Sequence, residues 1–379
     1  MFEFRLGTRI FAGENVVNLL GDNALEFGTK ALVVTDQGII EAGLLNPLEE
    51  SMKSAGLDYC IYDGVVSNPT VKNVEEATGL CLENNCDVII ALGGGSSIDC
   101  AKGSAVVAKN GGVIYDYNNK DGKEFYKALP IIAVPTTCGT GSEVSYGTVI
   151  TIEEEKHKFV VVSPLIYPVQ AYLDSNMVED LPSFLVSATG IDALTHAIES
   201  FISKGSNCLS ESLALHSIRL IGKFLKPAYA GDKNARFQML CASSLAAMSF
   251  SQTGLGLVHA MAVTMGGMYN LHHGLANAVL LPYVMSFNRI ANEQKYIQIA
   301  EALGENTMNL SVREGSQLAI EAVTKLTVDV GIPSSIRELG VKEEDIPELS
   351  LKASVHPDGI PNPRHFTSED IKILFRKAY

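Results

Sequence analysis

The chain lacks a Cys-x-x-Cys pair, an excess of positive charge and any uninterrupted apolar run of membrane-spanning length. Each absence excludes something. Seven cysteines (Cys60, Cys81, Cys86, Cys100, Cys138, Cys208 and Cys241) form an odd set, several of them inside apolar runs. They read as small buried apolar side chains in a reducing compartment. With 29 Lys and Arg against 43 Asp and Glu, the net charge is −14. That argues against nucleic acid or an anionic membrane as partner, because both require cationic side chains. Residues 254–287 are strongly apolar, yet His259, Asn270, His272, His273, Asn277 and several glycines interrupt them. No window of the roughly 18–20 residues a span needs is left, so a buried helical core is expected there. The first residues, MFEFRLGTRIF, have neither the apolar core of a signal peptide nor the Arg/Ser character of a transit peptide. A cytoplasmic protein is expected. There is no internal repeat and no low-complexity tract.

What is present describes a folded globule: 379 residues, 46% apolar and 19% charged. That length exceeds what single cores usually reach, so two domains are expected. Residues 30–35 (KALVVT), 57–65 (LDYCIYDGV), 87–92 (DVIIAL), the run LPIIAVP and 171–174 (AYLD) read as strands, with helical spacing between the first of them. Apolar strands alternating with helices imply a parallel sheet covered on both faces. VITI (149–152) and KFVVVS (158–163), around EEEKH, resemble a hairpin. From about Leu181-Pro182-Ser183 the pattern turns almost wholly helical, with breaks near Gly205, Gly231, Gly254, Asn270 and Gly304. The expected fold is therefore a Rossmann-like α/β domain over 1–180 and an all-α domain over 181–379. The tail is a Pro/Gly loop and a capped helix, with Thr367 and Ser368 before Glu369 and Asp370.

Two loops in the first domain suit a phosphate-bearing ligand. DVIIAL runs directly into Gly93-Gly94-Gly95-Ser96-Ser97-Ile98-Asp99. Glycines between a buried strand and a helix leave backbone N–H groups uncovered, and the helix start adds partial positive charge. The pattern is neither GxGxxG nor a Walker loop, and a tight turn needs only one glycine. The second loop, Thr136-Thr137-Cys138-Gly139-Thr140-Gly141-Ser142, sets small hydroxyls beside glycines.

Four residues of the second domain form a candidate ligand set. Asp192 and His196 stand four apart in TGIDALTHAIES, so one helix face carries both. His259 lies in GLGLVHAMA and His273 in NLHHGLAN, again in apolar surroundings. One carboxylate and three imidazoles suit a divalent transition metal, and burying them without partners is costly. A lone His on an apolar helix is more often a hydrogen-bonded core residue, and Asp192 after Gly190 suits a helix start. Spacing alone leaves both readings open. Metal residues past the class boundary and glycine loops before it place the expected reaction site at the domain junction.

The ordered motifs VVTD (33–36), SNPT (67–70), GGGSSIDCAKG (93–103), PTTCGTGSEVS (135–145), TGIDALTHAIES (189–200), GLGLVHAMA (254–262), HHGLANAVLLP (272–282) and NPRHFT (362–367) resemble those of the group III iron-dependent alcohol dehydrogenases. The likeness spans essentially the whole chain and implies the architecture shared with dehydroquinate synthase. It puts the metal ligands on Asp192, His196, His259 and His273. Gly93, Gly94, Gly95 and Ser96 would hold the dinucleotide pyrophosphate. Asn68, Thr136, Thr137, Thr140 and Lys158 would make other cofactor contacts, joined by Asp99 and Ser142 of the same loops. Asp36 matches a carboxylate that meets the adenosine ribose and would repel a 2′-phosphate, favouring NAD(H) over NADP(H). Fe²⁺ is the metal the resemblance implies, while the affinity order at N/O sites favours Zn²⁺. Dimers or larger homo-oligomers are implied as well.

The chain also departs from the pattern. Where many relatives carry a further His, four residues past the third ligand, this chain has Val263; where several carry Asn, it has Gly147. His272 stands where Pro is common and Asp358 in a loop where Cys is common; both are candidate catalytic groups. Together these changes suggest a short aldehyde with a polar or anionic second group, sulfoacetaldehyde being one candidate, rather than 1,3-propanediol or lactaldehyde. Two other classes compete: a metal-dependent lyase or cyclase of the dehydroquinate synthase type, which needs basic phosphate-binding residues that 254–287 does not supply, and a non-catalytic cofactor-binding protein.

Overall fold

A computed structural model describes residues 2–155 and 157–379; Met1, and Lys156 of the expected hairpin turn, lie outside the described residues. The strands are β1 (Arg9–Gly13), β2 (Lys30–Val34), β3 (Asp58–Tyr62), β4 (Val88–Gly93), β5 (Ile131–Pro135), β6 (Gly147–Ile152), β7 (His157–Val162) and β8 (Gln170–Asp174). Helices α1 (Leu20–Ala24), α2 (Gln37–Glu41), α3 (Leu45–Ala55), α4 (Val71–Glu83) and α5 (Gly95–Asn110) lie among them. After Leu181 come α6 (Ser183–Ile202), α7 (Cys208–Tyr229), α8 (Lys233–Thr253), α9 (Leu257–Tyr269), α10 (His273–Asn288), α11 (Glu293–Ala302), α12 (Val312–Asp329), α13 (Ile346–Ser354) and α14 (Ser368–Ala378). Two compact units result: residues 6–137 with 141–181, and residues 182–379 with 1–5 and 138–140. The expected division at 180 omitted those two short crossings.

The first unit holds a parallel sheet in the order β1-β8-β5-β4-β2-β3 and a separate antiparallel pair, β6-β7. Alternation along each strand divides the sheet's side chains between two cores. Leu32, Val34, Ile89, Ala91, Ile131 and Ala133 join the core that α4 and α5 cover. Ala31, Val33, Val88, Ile90, Ile132 and Val134 join the one that α1 and α3 cover. Burial on both faces is why these strands read as continuous apolar runs. In the second unit, α6 is buried at every residue from Val186 to Ile202. Ser183 opens that helix as its first residue, with Pro182 in the cap position. Thr367 caps α14 in a capping box with Asp370.

Cys81, Cys86, Cys100 and Cys138 are buried; Cys60 and Cys241 are half-buried and Cys208 exposed, so the cysteines are less uniformly internal than their apolar neighbours suggest. Among the described residues no helix is long and apolar enough to cross a membrane.

Candidate metal centre and nucleotide loops

Helix α6 supplies Asp192 and His196, the first turn of α9 supplies His259, and His273 opens α10. One donor atom from each lies within 4.8 Å of all the others. Asp192 Oδ1 stands 4.0, 3.9 and 3.8 Å from Nε2 of His196, His259 and His273. Three of the four are buried, while the His273 side chain is 28% exposed, so the group opens on its side. The rings of His196 and His259 stack, with centroids 4.7 Å apart.

Two buried side chains that the sequence reading passed over hold this arrangement. Glu199 is on α6, seven residues past Asp192, and therefore on the same helix face. Its Oε2 is 2.6 Å from His259 Nδ1, and its Oε1 accepts the Val258 N–H at 2.6 Å. A carboxylate on Nδ1 fixes the tautomer that turns the Nε2 lone pair to the ligand group. Asn362, of the NPRHFT motif, accepts the Leu257 N–H at 3.2 Å and the Asn288 amide at 2.8 Å. Thus two of the N–H groups left over at the start of α9 end on side chains from α6 and the tail. A Cβ on Gly256 would lie 2.7 Å from Glu199 Oε1, and one on Gly274 only 2.5 Å from the Ala188 carbonyl oxygen. These glycines let α9 and α10 approach α6 closely enough for the four donor side chains to meet.

Burial pushes the His196 pKa down to about 4 against the pull of Asp192, so its imidazole is neutral and ready to donate a lone pair. Burial also acts to lower that of His259, but the charge and hydrogen bond of Glu199, with Asp192 behind, raise it overall. Asp192 is lowered: burial opposes its ionisation, and the three imidazoles outweigh that. The buried Oδ1 of Asn277 also borders the group and has no hydrogen-bond partner. Four convergent N and O donors and a buried, unsatisfied oxygen fit a divalent transition metal.

In the first unit, Asp36, the glycine loop and Thr136–Thr137 follow the C-terminal ends of β2, β4 and β5, three neighbouring parallel strands where open α/β sheets bind ligands. Gly94 caps α5 without a side chain, leaving the first-turn N–H groups of a 16-residue helix open to an anion. Gly93 has φ +148°, and a Cβ there would meet Ser97 Oγ at 2.5 Å, so the turn itself demands glycine at that position. Asp36 caps α2 through Ile39 N–H at 3.1 Å and accepts Ser97 Oγ at 3.4 Å, which brings it to the glycine loop. Lys158 donates to Asn68 Oδ1 at 2.7 Å; its burial lowers its pKa to about 8. Asp99 and Ser142 hydrogen-bond each other at 2.6 Å, and Asp99 also takes Val149 N–H at 2.9 Å. The buried Lys102 ties Ser142, Ser145 and the Gly147 carbonyl together. Asp99 and Ser142 thus fix the loop from behind. Thr140 lies in the segment that groups with the helical unit.

His272 is the cap residue of α10, edge-on to Phe184 with centroids 6.1 Å apart. Asp358 sits in a short turn beside α9, 3.5 Å from His356 Nδ1, and its charge is felt at His259. Val263 is half-buried one turn past His259, and a Cβ on Gly147 would meet only Val162, at 3.8 Å.

An α/β unit with anion-ready strand ends and a helical unit with a buried Asp/His₃ group define a nucleotide- and metal-using enzyme. Residues 7–175 match the family model for iron-containing alcohol dehydrogenase, and residues 186–379 that for the C-terminal part of the Fe-containing alcohol dehydrogenase family. The lactaldehyde reductase of Escherichia coli (strain K12) is 41% identical over 370 residues, 97% of each chain. A crystal structure of a 1,3-propanediol oxidoreductase has TM-score 0.97 and 40% identity and covers 100% of both chains. The sulfoacetaldehyde reductase from Bifidobacterium kashiwanohense, in complex with NAD⁺, has TM-score 0.90 and 26% identity, covering 100% of this chain and 98% of that one. The chain belongs to the iron-containing alcohol dehydrogenase family. It is an NAD(H)-linked, metal-dependent alcohol/aldehyde oxidoreductase.

Proposed function

We propose that Asp192, His196, His259 and His273 hold the divalent metal and that the chain reduces short aldehydes with a polar or anionic second group, sulfoacetaldehyde among them. The convergence of the four donor atoms within 4.8 Å carries the metal reading. When bound there, the metal supplies Lewis-acid polarisation of the substrate oxygen, and NAD(H) supplies the hydride chemistry. The chain's own residues do the rest. Glu199 orients His259, the open first turn of α5 receives the pyrophosphate, and Asp36 receives the adenosine ribose. His272 and Asp358 are the polar groups we assign to the substrate side. The protein works in a reducing, cytoplasmic compartment as a homo-oligomer.

Val263 and Gly147 support the substrate reading, since each removes a polar side chain and its bulk. Identity of 41% to a lactaldehyde reductase favours a second reading, lactaldehyde or 1,3-propanediol chemistry. Steady-state NADH oxidation over a panel of C2–C4 aldehydes separates the two. The first expects the highest kcat/KM for sulfoacetaldehyde or another anionic aldehyde; a clear preference for lactaldehyde or 3-hydroxypropanal contradicts it.

Asp36 decides the cofactor. Asp36→Gly removes a charge that repels a 2′-phosphate, and glycine in the cap position costs α2 only a few tenths of a kcal/mol. The ratio of kcat/KM for NADPH to that for NADH is expected to rise on the order of tenfold, about 1.4 kcal/mol. An unchanged ratio removes Asp36 from the ribose.

A further inference from the structure

Asn277 lies four residues past His273 on α10, so the two share a helix face, and it is fully buried. Its Nδ2 is 2.6 Å from Asp192 Oδ1 and 3.1 Å from Nε2 of both His259 and His273. The amide nitrogen therefore points at three of the four atoms that would bind the metal. Its other end is different: Oδ1 is buried and has no hydrogen-bond partner.

These two ends suit different states of the site. Lone pairs on a carboxylate and two imidazoles repel one another, and an NH₂ group between them supplies positive hydrogens to two at a time. A cation that takes those lone pairs would face the same hydrogens with a like charge. Half a turn about the terminal torsion brings Oδ1 and its lone pairs to the ion instead. Amide nitrogen and oxygen are nearly the same size, and the surrounding network decides which way the group points. No repacking of α10 is needed.

We propose that Asn277 is a metal-dependent amide switch: its NH₂ bridges Asp192, His259 and His273 in the metal-free protein, and its Oδ1 turns to the bound ion as a further oxygen donor. The proposal rests on the four-ligand reading above and adds a consequence to it. An extra oxygen suits an ion that readily exceeds four ligands, as Fe²⁺ does, more than Zn²⁺ held in a four-coordinate site.

The test uses the full-length protein with Co²⁺ and Zn²⁺ as probes, reading affinities by chelator competition and the Co²⁺ site by its visible absorption. Asn277→Leu keeps the number and branching of the side-chain heavy atoms and removes both polar ends. It is expected to lower Co²⁺ affinity by about 10–100-fold, the usual cost of losing a group that supports a metal site. Zn²⁺ affinity should fall less, and the Co²⁺ bands should gain intensity, as they do when coordination number drops. Asn277→Asp keeps the shape, offers oxygen in either orientation and removes the bridging hydrogens. Its metal-free form should melt below metal-free wild type, and Co²⁺ should raise its Tm by more. Wild-type affinity and spectrum in Asn277→Leu, or equal Tm shifts in Asn277→Asp and wild type, overturn the switch while leaving the four ligands standing. Failure of the wild-type protein to bind Co²⁺ at all overturns both.

Discussion

His259→Ala is expected to retain no divalent metal through purification and to show NADH-linked turnover no higher than metal-stripped wild type. His259 meets the ligand group with one ring nitrogen and Glu199 with the other, 2.6 Å away. Losing a group that merely supports a ligand typically costs 10–100-fold in metal affinity; loss of the ligand itself is expected to exceed that range. The substitution also strands Glu199, a buried carboxylate whose remaining recorded partner is the Val258 N–H. Breaking a buried charged pair from one side costs about 3–5 kcal/mol, so a lower Tm accompanies the loss of metal. His273→Ala separates the two effects. Its side chain is 28% exposed, and the Asp192 carboxylate it faces keeps His196, His259 and the Asn277 amide as neighbours, so the stability cost should be smaller. That variant should fold near wild type and still fail to hold metal. Metal analysis alongside circular dichroism reads both outcomes, and wild-type turnover in either variant would remove that histidine from the ligand set.

Gly274→Val should be as damaging as loss of a ligand, although it removes no donor atom. Even the first carbon of a side chain at 274 would stand 2.5 Å from the Ala188 carbonyl oxygen and 3.2 Å from Asp192 Cβ. The obstacle is α6 backbone, which cannot rotate away as a long side chain would. Overpacking of this kind costs about 1–3 kcal/mol when the neighbours can shift, and here the shift must part α10 from α6. His273 opens α10, so it would move with the helix away from Asp192, now 3.8 Å distant. The expected result is a folded protein of lower Tm whose Fe²⁺ affinity falls by at least the about 10–100-fold that lost positioning costs. Titration of metal-free Gly274→Val with Co²⁺ checks it, and wild-type affinity would show that the helices do not need this close approach.

Much of this was readable in the chain before any coordinates. Strands β2, β4 and β5 announced themselves because burial on both faces leaves no polar position in them. Asp192 and His196 were visible because the helical repeat puts residues four apart on one face. The same rule applied twice more would have found Glu199, three residues past His196, and Asn277, four past His273. Spacing puts them on the face but does not reveal what they do there: Glu199 holds a ring nitrogen of His259, and the Asn277 amide meets Asp192. Other features were not legible locally at all. β1 is short and half-exposed, and its pairing with β8 joins residues 9–13 to 170–174. The roles of Gly256 and Gly274 depend on which helix lies opposite, and Asn362 caps α9 from more than 100 residues away. Asp99, in the first turns of α5, and Ser142, after β5, hydrogen-bond each other, the Val149 N–H and Lys102, links that no spacing rule reveals.

The Asp192, His196, His259 and His273 group is expected to hold the metal on which NAD(H)-linked turnover depends. Anaerobic titration of chelator-stripped protein with Fe²⁺, following bound metal and aldehyde-dependent NADH oxidation in the same samples, tests it most directly. Activity should be absent in the stripped protein and rise in proportion to metal up to about one ion per chain, with no such rise in Asp192→Ala. Full turnover in the stripped wild type, or unchanged metal binding in Asp192→Ala, would contradict it.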